Sequence, residues 1–154
     1  MWEVSAYRAL AALGGLLLWR GSGSESGTTS LWHVGDGGAY VLAALTFAGI
    51  FFAWWARLHL GRLWSGSVTR KESHRIVDTG PYAIVRHPIY TGLIGATFAT
   101  AAAEAAATAL VGWALIAFGL WLKARAEERF LAAELGPDYA SYRRRVPMLV
   151  PFTS

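Results

Sequence analysis

Polar and apolar positions fall in long blocks along the chain, and the apolar blocks predict helices. Ala9 to Trp19 is an apolar run that follows Glu3 and Arg8. It reaches membrane-spanning length only if Trp2 to Arg8 joins the same helix, with Arg8 snorkelling to the headgroups. A cleaved signal peptide is the rival reading, but Glu3 is out of place in a basic leader and no small-x-small cleavage site precedes Gly21. Gly21 to Gly38, rich in Gly, Ser and Thr, is predicted to be an exposed loop. Ala39 to Ala56 carries no charge, and its Phe47, Phe51-Phe52 and Trp54-Trp55 mark it as the clearest transmembrane helix.

Arg57 to Arg86 is too polar to span, with Arg57, Arg62, Arg70, Lys71, Arg75 and Arg86 set against Glu72 and Asp78. Ile89 to Leu122 is apolar apart from Glu104 and exceeds a single ~20-residue span, so it is expected to form two helices with a tight turn near Ala103 to Ala105. Gly92, Gly95, Ala96 and Ala99 on one limb and Gly112 and Gly119 on the other would let these two backbones approach closely. Lys123 onward is charged, with Leu131 and Leu135 on one helical stripe, a stop at Gly136-Pro137, and the basic run Arg143-Arg144-Arg145. Four spans would put the N-terminus, the central basic block and the C-terminal tail on one side, which the positive-inside rule makes the cytoplasm.

Composition agrees with lipid as the solvent. The 154 residues are 55% hydrophobic, 14% aromatic and 16% charged, the last well below the ~25% of an average soluble protein. A net charge of +4 gathered in blocks beside apolar segments fits an anionic membrane surface better than nucleic acid. The absence of Cys removes disulfides, Cys-based zinc sites and a Cys nucleophile, and the four histidines lack close metal-ligand spacing. The chain is therefore expected to be an all-α integral membrane protein, one domain over residues 1–154, with about four transmembrane helices and a C-terminal helical hairpin.

Chemistry is concentrated between His74 and Gly92, where two His, two Arg, two Tyr and two Pro interrupt a sequence otherwise dominated by Ala, Leu and Gly. Gly80-Pro81 signals a turn, and Pro88 a helix start. Arg86 and His87 then sit just before a helix N-terminus, where an anion such as a ligand carboxylate is favoured. The plainer reading is a Pro-capped helix whose Arg and His lie at a membrane surface. Lys123 and Glu127, four residues apart, are either a surface ion pair or part of a site. Glu127-Glu128, directly after a span, are adjacent carboxylates able to hold a cationic ligand. No G-x-G-x-x-G after a strand, Walker lysine loop, H-E-x-x-H or G-x-S-x-G is present.

The segments His74-Arg-Ile-Val77, Gly80-Pro-Tyr82 and Arg86-His-Pro-Ile-Tyr90-Thr-Gly92, with Glu127-Glu128, Gly136-Pro-Asp-Tyr139-Ala-Ser-Tyr142 and Arg145-Val-Pro147 after them, resemble the isoprenylcysteine carboxyl methyltransferase family and its bacterial homologues. Phospholipid methyltransferases are more loosely related. The resemblance covers about residues 55–152 and leaves out the first helix and its Gly/Ser loop. It implies an integral membrane enzyme, in a bacterium an inner-membrane one, that uses S-adenosyl-L-methionine bound in a cytoplasmic pocket and acts on a lipophilic or lipidated acceptor.

By that resemblance His74, Arg75, Ile76, Val77, Tyr82, His87, Pro88, Ile89 and Tyr90 look like cofactor contacts. Glu127 looks like the acid that closes the same pocket, and Arg86, Lys123, Glu127 and Glu128 are the expected catalytic set. A sulfonium and an ammonium suit a Glu, adenine suits tyrosine faces, and a carboxylate suits the helix start beside Arg86 and His87. One departure concerns the acceptor: Lys123 stands where the prenylcysteine-modifying branch has Arg, and a Lys binds a carboxylate as a point charge without the bidentate fork. Expected reactions are O-methylation of a prenylcysteine-like carboxylate or N-methylation of a phospholipid amine, with a non-catalytic membrane module of the same fold as the third reading. Small-residue faces permit an oligomer, and no metal is expected.

Overall fold

The computed structural model describes residues 2–22, 30–61 and 76–153. His74 and Arg75, together with Arg62, Arg70 and Lys71 of the central basic block, lie outside the described residues. The described residues form four long helices and no strand: α1 (Trp2–Ser22), α2 (Asp36–Leu60), α3 (Pro88–Glu104) and α4 (Ala107–Arg145), with a short 3₁₀ turn at Gly80–Ala83 before α3. Trp2 to Arg8 does join the apolar run after it in one helix.

Two helices, α2 and α4, are long and apolar enough to cross a membrane. Only 11% of the apolar window of α2 is buried. Its outer face carries Tyr40, Val41, Phe47, Phe51 and Trp54 exposed. An apolar helix with so little of its surface covered requires a non-aqueous surrounding.

The break between α3 and α4 falls where the apolar stretch was expected to turn. Ala105 takes a left-handed conformation (φ 51°, ψ 28°) and Ala106 is extended, which reverses the chain in two residues. The end of the α1–α2 connection is tied to this hairpin tip: the Leu31 N–H donates to the Ala105 carbonyl at 2.7 Å, and Trp32 Nε1–H to the Ala102 carbonyl at 3.1 Å.

The small residues pack differently from the expectation that they would join the two hairpin limbs. α3 lies mainly on α2, and α4 mainly on α1, with a lesser α3–α4 contact. A Cβ at Gly92 would stand 2.5 Å from the Gly49 carbonyl oxygen of α2, and one at Gly112 would stand 2.6 Å from the Gly14 carbonyl of α1. Partner glycines on α1 and α2 allow these approaches, and pairs of facing glycines bring backbones closer than glycine against a large residue. The hairpin limbs meet through Ala101 and Ala109 near the turn and through bulk further along: Trp113 and Phe98 pack edge to face at 4.9 Å, and Trp113 Nε1–H donates to the Ile94 carbonyl.

α4 also differs from expectation at Gly136-Pro137. Gly136 leaves helical geometry (φ 54°, ψ −128°), but the helix resumes and runs to Arg145. The glycine therefore kinks α4 and redirects its last turns instead of ending it, since Pro137 can open a new helical segment but not continue the old one. The redirected segment packs Tyr139, Tyr142 and Val146 with Leu131, Leu135 and Ile76. After Val146 the tail turns back onto the start of α3.

Candidate functional site

At the start of α3 the backbone is committed before its side chains are considered. The N–H groups of Arg86 and His87 donate to the carbonyls of Pro147 and Met148 at 2.9 and 3.1 Å, and Thr91 Oγ1–H donates to the Leu149 carbonyl at 2.7 Å. Pro88, fully buried as the first residue of α3, has no N–H to satisfy. Residues 147–149 thus lie along the helix entry where an anionic ligand was expected. The N–H groups of Arg86 and His87, beside which the sequence placed a ligand carboxylate, are taken by tail carbonyls.

Arg86 is likewise engaged. Its Nε and Nη2 donate to Glu128 Oε1 and Oε2 at 2.9 and 3.0 Å, and Nη1 donates to the carbonyls of Arg143 and Val146. Glu128 also receives His87 Nε2 at 2.9 Å, the Tyr139 hydroxyl at 2.6 Å and Arg143 Nε at 3.2 Å. The Arg86 and Glu128 side chains are only 9% and 7% exposed. A buried carboxylate with this many donors is saturated. The adjacent carboxylates Glu127 and Glu128 therefore do not form a matched pair: Glu128 faces inward and welds α4, its redirected end and the start of α3.

Glu127 faces the other way and keeps capacity. Its Oε1 accepts the Tyr90 hydroxyl at 2.6 Å, its Oε2 lies 3.5 Å from His87 Nδ1, and its side chain is 22% exposed. His87 thus bridges both carboxylates while stacking on Tyr90 with ring centroids 5.5 Å apart and nearly parallel planes. Burial opposes a charged imidazole here, but the hydrogen bonds and charges of Glu127 and Glu128 outweigh it and raise the His87 pKa above the ordinary histidine value. Tyr82, buried nearby, has its phenol pushed up to about 12 by burial first and then by the Glu127 charge, with Arg57 opposing. It remains a neutral phenol with one ring face against His59 of α2 at 6.4 Å.

Lys123, one helical turn before Glu127, does not pair with it. Among the described residues it forms no ion pair, and its ammonium lies over the rings of Tyr7 and Tyr90, 5.7 and 5.3 Å from their centroids. The Glu127 carboxylate is turned toward α3 instead. Lys123, Tyr90, Glu127, His87 and Tyr82 consequently border one another at the end of the bundle where the α2 C-terminus, the α3 N-terminus and the distal half of α4 meet. Ile89 and Val77 are half-buried. Ile76 stands apart: it packs with Tyr139 and Tyr142 and lines a shallow cleft with Asp78, Leu135 and Arg145.

Three contributors had no counterpart in the sequence-based site. Tyr7 comes from α1, and Tyr139 reaches Glu128 from eleven residues along, across the Gly136 kink. Tyr142 donates its hydroxyl to the Tyr82 carbonyl at 2.6 Å and so fixes the 3₁₀ turn against α4. Nothing in the residue pattern marks the returning tail.

The donor set suits a cationic ligand with an aromatic group: one incompletely satisfied carboxylate flanked by tyrosine faces.

Comparison with known proteins agrees with this chemistry. The model of the isoprenylcysteine carboxyl methyltransferase family matches residues 41–133. The chain is 36% identical over 96 residues to the cobalt-zinc-cadmium resistance protein CzcN of Cupriavidus metallidurans, covering 60% of this chain and 43% of that protein. It is 49% identical over 72 residues to methanethiol S-methyltransferase 2 of Bradyrhizobium diazoefficiens, covering 46% and 26%. Protein-S-isoprenylcysteine O-methyltransferase B of Arabidopsis thaliana is 30% identical over 88 residues, covering 56% and 45%. The chain thus spans less than half the length of each of these three relatives.

Proposed function

Because this chain belongs to the isoprenylcysteine carboxyl methyltransferase family, we propose that it is a membrane methyltransferase that uses S-adenosyl-L-methionine to methylate the carboxylate of a lipophilic, prenylcysteine-like acceptor. The observation that carries this reading is the contrast between two neighbouring acids. Glu128 is saturated by Arg86, His87, Tyr139 and Arg143, whereas Glu127 is held in place by Tyr90 and His87 with part of its surface open.

S-adenosyl-L-methionine, when bound, supplies a methyl group on a sulfonium centre, open to in-line displacement by a nucleophile. Glu127 is the residue that would meet its positive groups or ribose hydroxyls, and the Tyr82 ring, on the side away from His59, would border its adenine. His74 and Arg75 keep the cofactor role that the family resemblance gives them. Arg86 and Glu128 act as the brace that holds His87 and, through it, Glu127. The chain's task is then to position the acceptor in line with the methyl carbon and to exclude water.

The same contrast bears on the acceptor. An amine must lose a proton before it attacks; Glu128 is saturated with donors, so Glu127 would have to take that proton as well as meet the positive groups of the methyl donor. A carboxylate is already ionised and needs no base. Lys123, half-buried and without a carboxylate partner among the described residues, sits where such an anion can be recognised. A thiol acceptor is the second reading, favoured by the likeness to methanethiol S-methyltransferase 2.

The polar end of the bundle faces the cytoplasm of a bacterial inner membrane in this reading, all four helices span, and the acceptor enters sideways from the lipid. The test is incubation in detergent with S-adenosyl-L-methionine labelled at the methyl group and, separately, a farnesylcysteine carboxylate, an alkanethiol and phosphatidylethanolamine. Label appearing as a base-labile ester on the farnesylcysteine supports the proposal. Label found only on the thiol or the amine overturns the choice of acceptor, and none on any of them overturns the reaction.

A further inference from the structure

The family model starts at residue 41 and so assigns nothing to α1, yet α1 places a buried tyrosine at the site. Tyr7 is 8% exposed, and its ring is one of the two faces on which the Lys123 ammonium rests. A Lys cation within ~6 Å of an aromatic centroid is attracted by the ring's negative face, more strongly as water is removed. Tyr7 and Tyr90 belong to different helices and close on Lys123 of a third. Among the described residues the ammonium is held by these uncharged rings and by no carboxylate.

The placement of Tyr7 is built into the packing of α1 on α4. Gly14 faces Gly112, where an added Cβ would approach carbonyl oxygen to 2.5–2.6 Å, and a Cβ at Gly119 would stand 3.1 Å from the Tyr7 carbonyl oxygen. The two contact points are seven residues apart on each helix, running in opposite directions, so the helices are keyed in one register. That register sets the Tyr7 backbone against Gly119, and its side chain, leaning toward the start of α1, carries the ring to Lys123 one turn further along α4.

We infer that Tyr7 is a positioning residue for the acceptor: with Tyr90 it clamps the Lys123 side chain so that its ammonium presents a fixed positive point to an anionic group on the substrate. This rests on the methyltransferase reading above and adds to it the element that sets acceptor affinity. α1 is then part of the acceptor site as well as a membrane anchor.

Lys71 and Lys123 are the two lysines of the chain, which permits a direct observation. In a Lys71→Arg background, reductive dimethylation with ¹³C-formaldehyde labels Lys123 and the N-terminal amine, and dimethylation keeps the lysine charge. Two ring faces should displace the Lys123 methyl resonance upfield from its position in denatured protein. Tyr7→Phe keeps the ring and should keep the displacement, whereas Tyr7→Leu should lose a large part of it. Adding farnesylcysteine carboxylate should move the resonance, and its methyl ester should not.

In unlabelled protein, Tyr7→Leu should raise KM for farnesylcysteine by about 3- to 10-fold, the scale of one partly desolvated cation–π contact. Its kcat and its affinity for S-adenosyl-L-methionine should stay at wild-type values, and Tyr7→Phe should restore KM. An unchanged resonance in Tyr7→Leu, or a donor affinity that falls with KM, overturns the positioning role. Failure of the methyltransferase reading looks different: no donor binding and no product, with the ring-shifted resonance intact.

Discussion

Arg86 grips Glu128 through two parallel hydrogen bonds, Nε to Oε1 at 2.9 Å and Nη2 to Oε2 at 3.0 Å, with both side chains nearly buried. The pair joins the entry of α3 to α4, and His87, Tyr139 and Arg143 bond to the same carboxylate. Removing one partner leaves the other charge buried without compensation. Glu128→Ala is expected to lower stability by ~3–5 kcal/mol, read by thermal unfolding in detergent. A wild-type midpoint for Glu128→Ala would show that the brace does not hold the site together.

His87 makes stability depend on pH. Its folded pKa is raised above the unfolded value of about 6.5, so its bridging contribution is complete below that value and is lost as pH rises through the folded pKa. The gap in unfolding midpoint between wild type and His87→Gln should be widest below about pH 6.5 and should narrow as the solution becomes alkaline. A gap that widens with pH would mean that the imidazole is held neutral.

Helix approach gives a paired prediction within α3. A Cβ at Gly92 would stand 2.5 Å from the Gly49 carbonyl oxygen, whereas one at Gly95 would meet nothing within 4 Å. Gly92→Ala is expected to cost ~1–3 kcal/mol by forcing α2 and α3 apart, while Gly95→Ala should be neutral or slightly stabilising. Equal midpoints for the two variants would contradict the packing of α3 on α2.

Much of this architecture is legible in the residue pattern, and the reasons differ by element. The turn at Ala105 follows from length, because an apolar stretch longer than one span has to reverse. The meeting of His87 with Glu127 follows from topology, since a hairpin returns its two polar ends to one level. The partners of Gly92 and Gly112 were not legible: a small-residue stripe says that something comes close, and only the three-dimensional arrangement says what. Gly136-Pro137 signals a break in helical hydrogen bonding, but whether the chain then stops or resumes depends on the core that receives Tyr139 and Tyr142. The division of labour between Glu127 and Glu128 depends on which faces inward, and adjacent positions on a helix point about 100° apart.

The rate should depend on pH as the acceptor dictates. A carboxylate acceptor, ionised throughout, should give a rate with no climb between about pH 6 and 9, while an amine or thiol, with pKa near or above ~8.5, should give one that climbs tenfold per unit over much of that range. A profile without that climb for farnesylcysteine supports the assignment of Lys123 to the acceptor. A steep one would point to a nucleophile that must first be deprotonated.

Glu127 is the residue on which the functional account turns, and calorimetric titration of the detergent-solubilised protein with S-adenosyl-L-methionine measures it without requiring the acceptor to be known. Glu127→Gln keeps the side chain's size and can still accept the Tyr90 hydroxyl, so the bundle should unfold near the wild-type temperature. Binding by wild type and a loss of about 10- to 100-fold in Glu127→Gln, the range for a hydrogen bond to a charged group, is the expected result. Equal affinity in the two proteins would place the cofactor elsewhere and contradict the account.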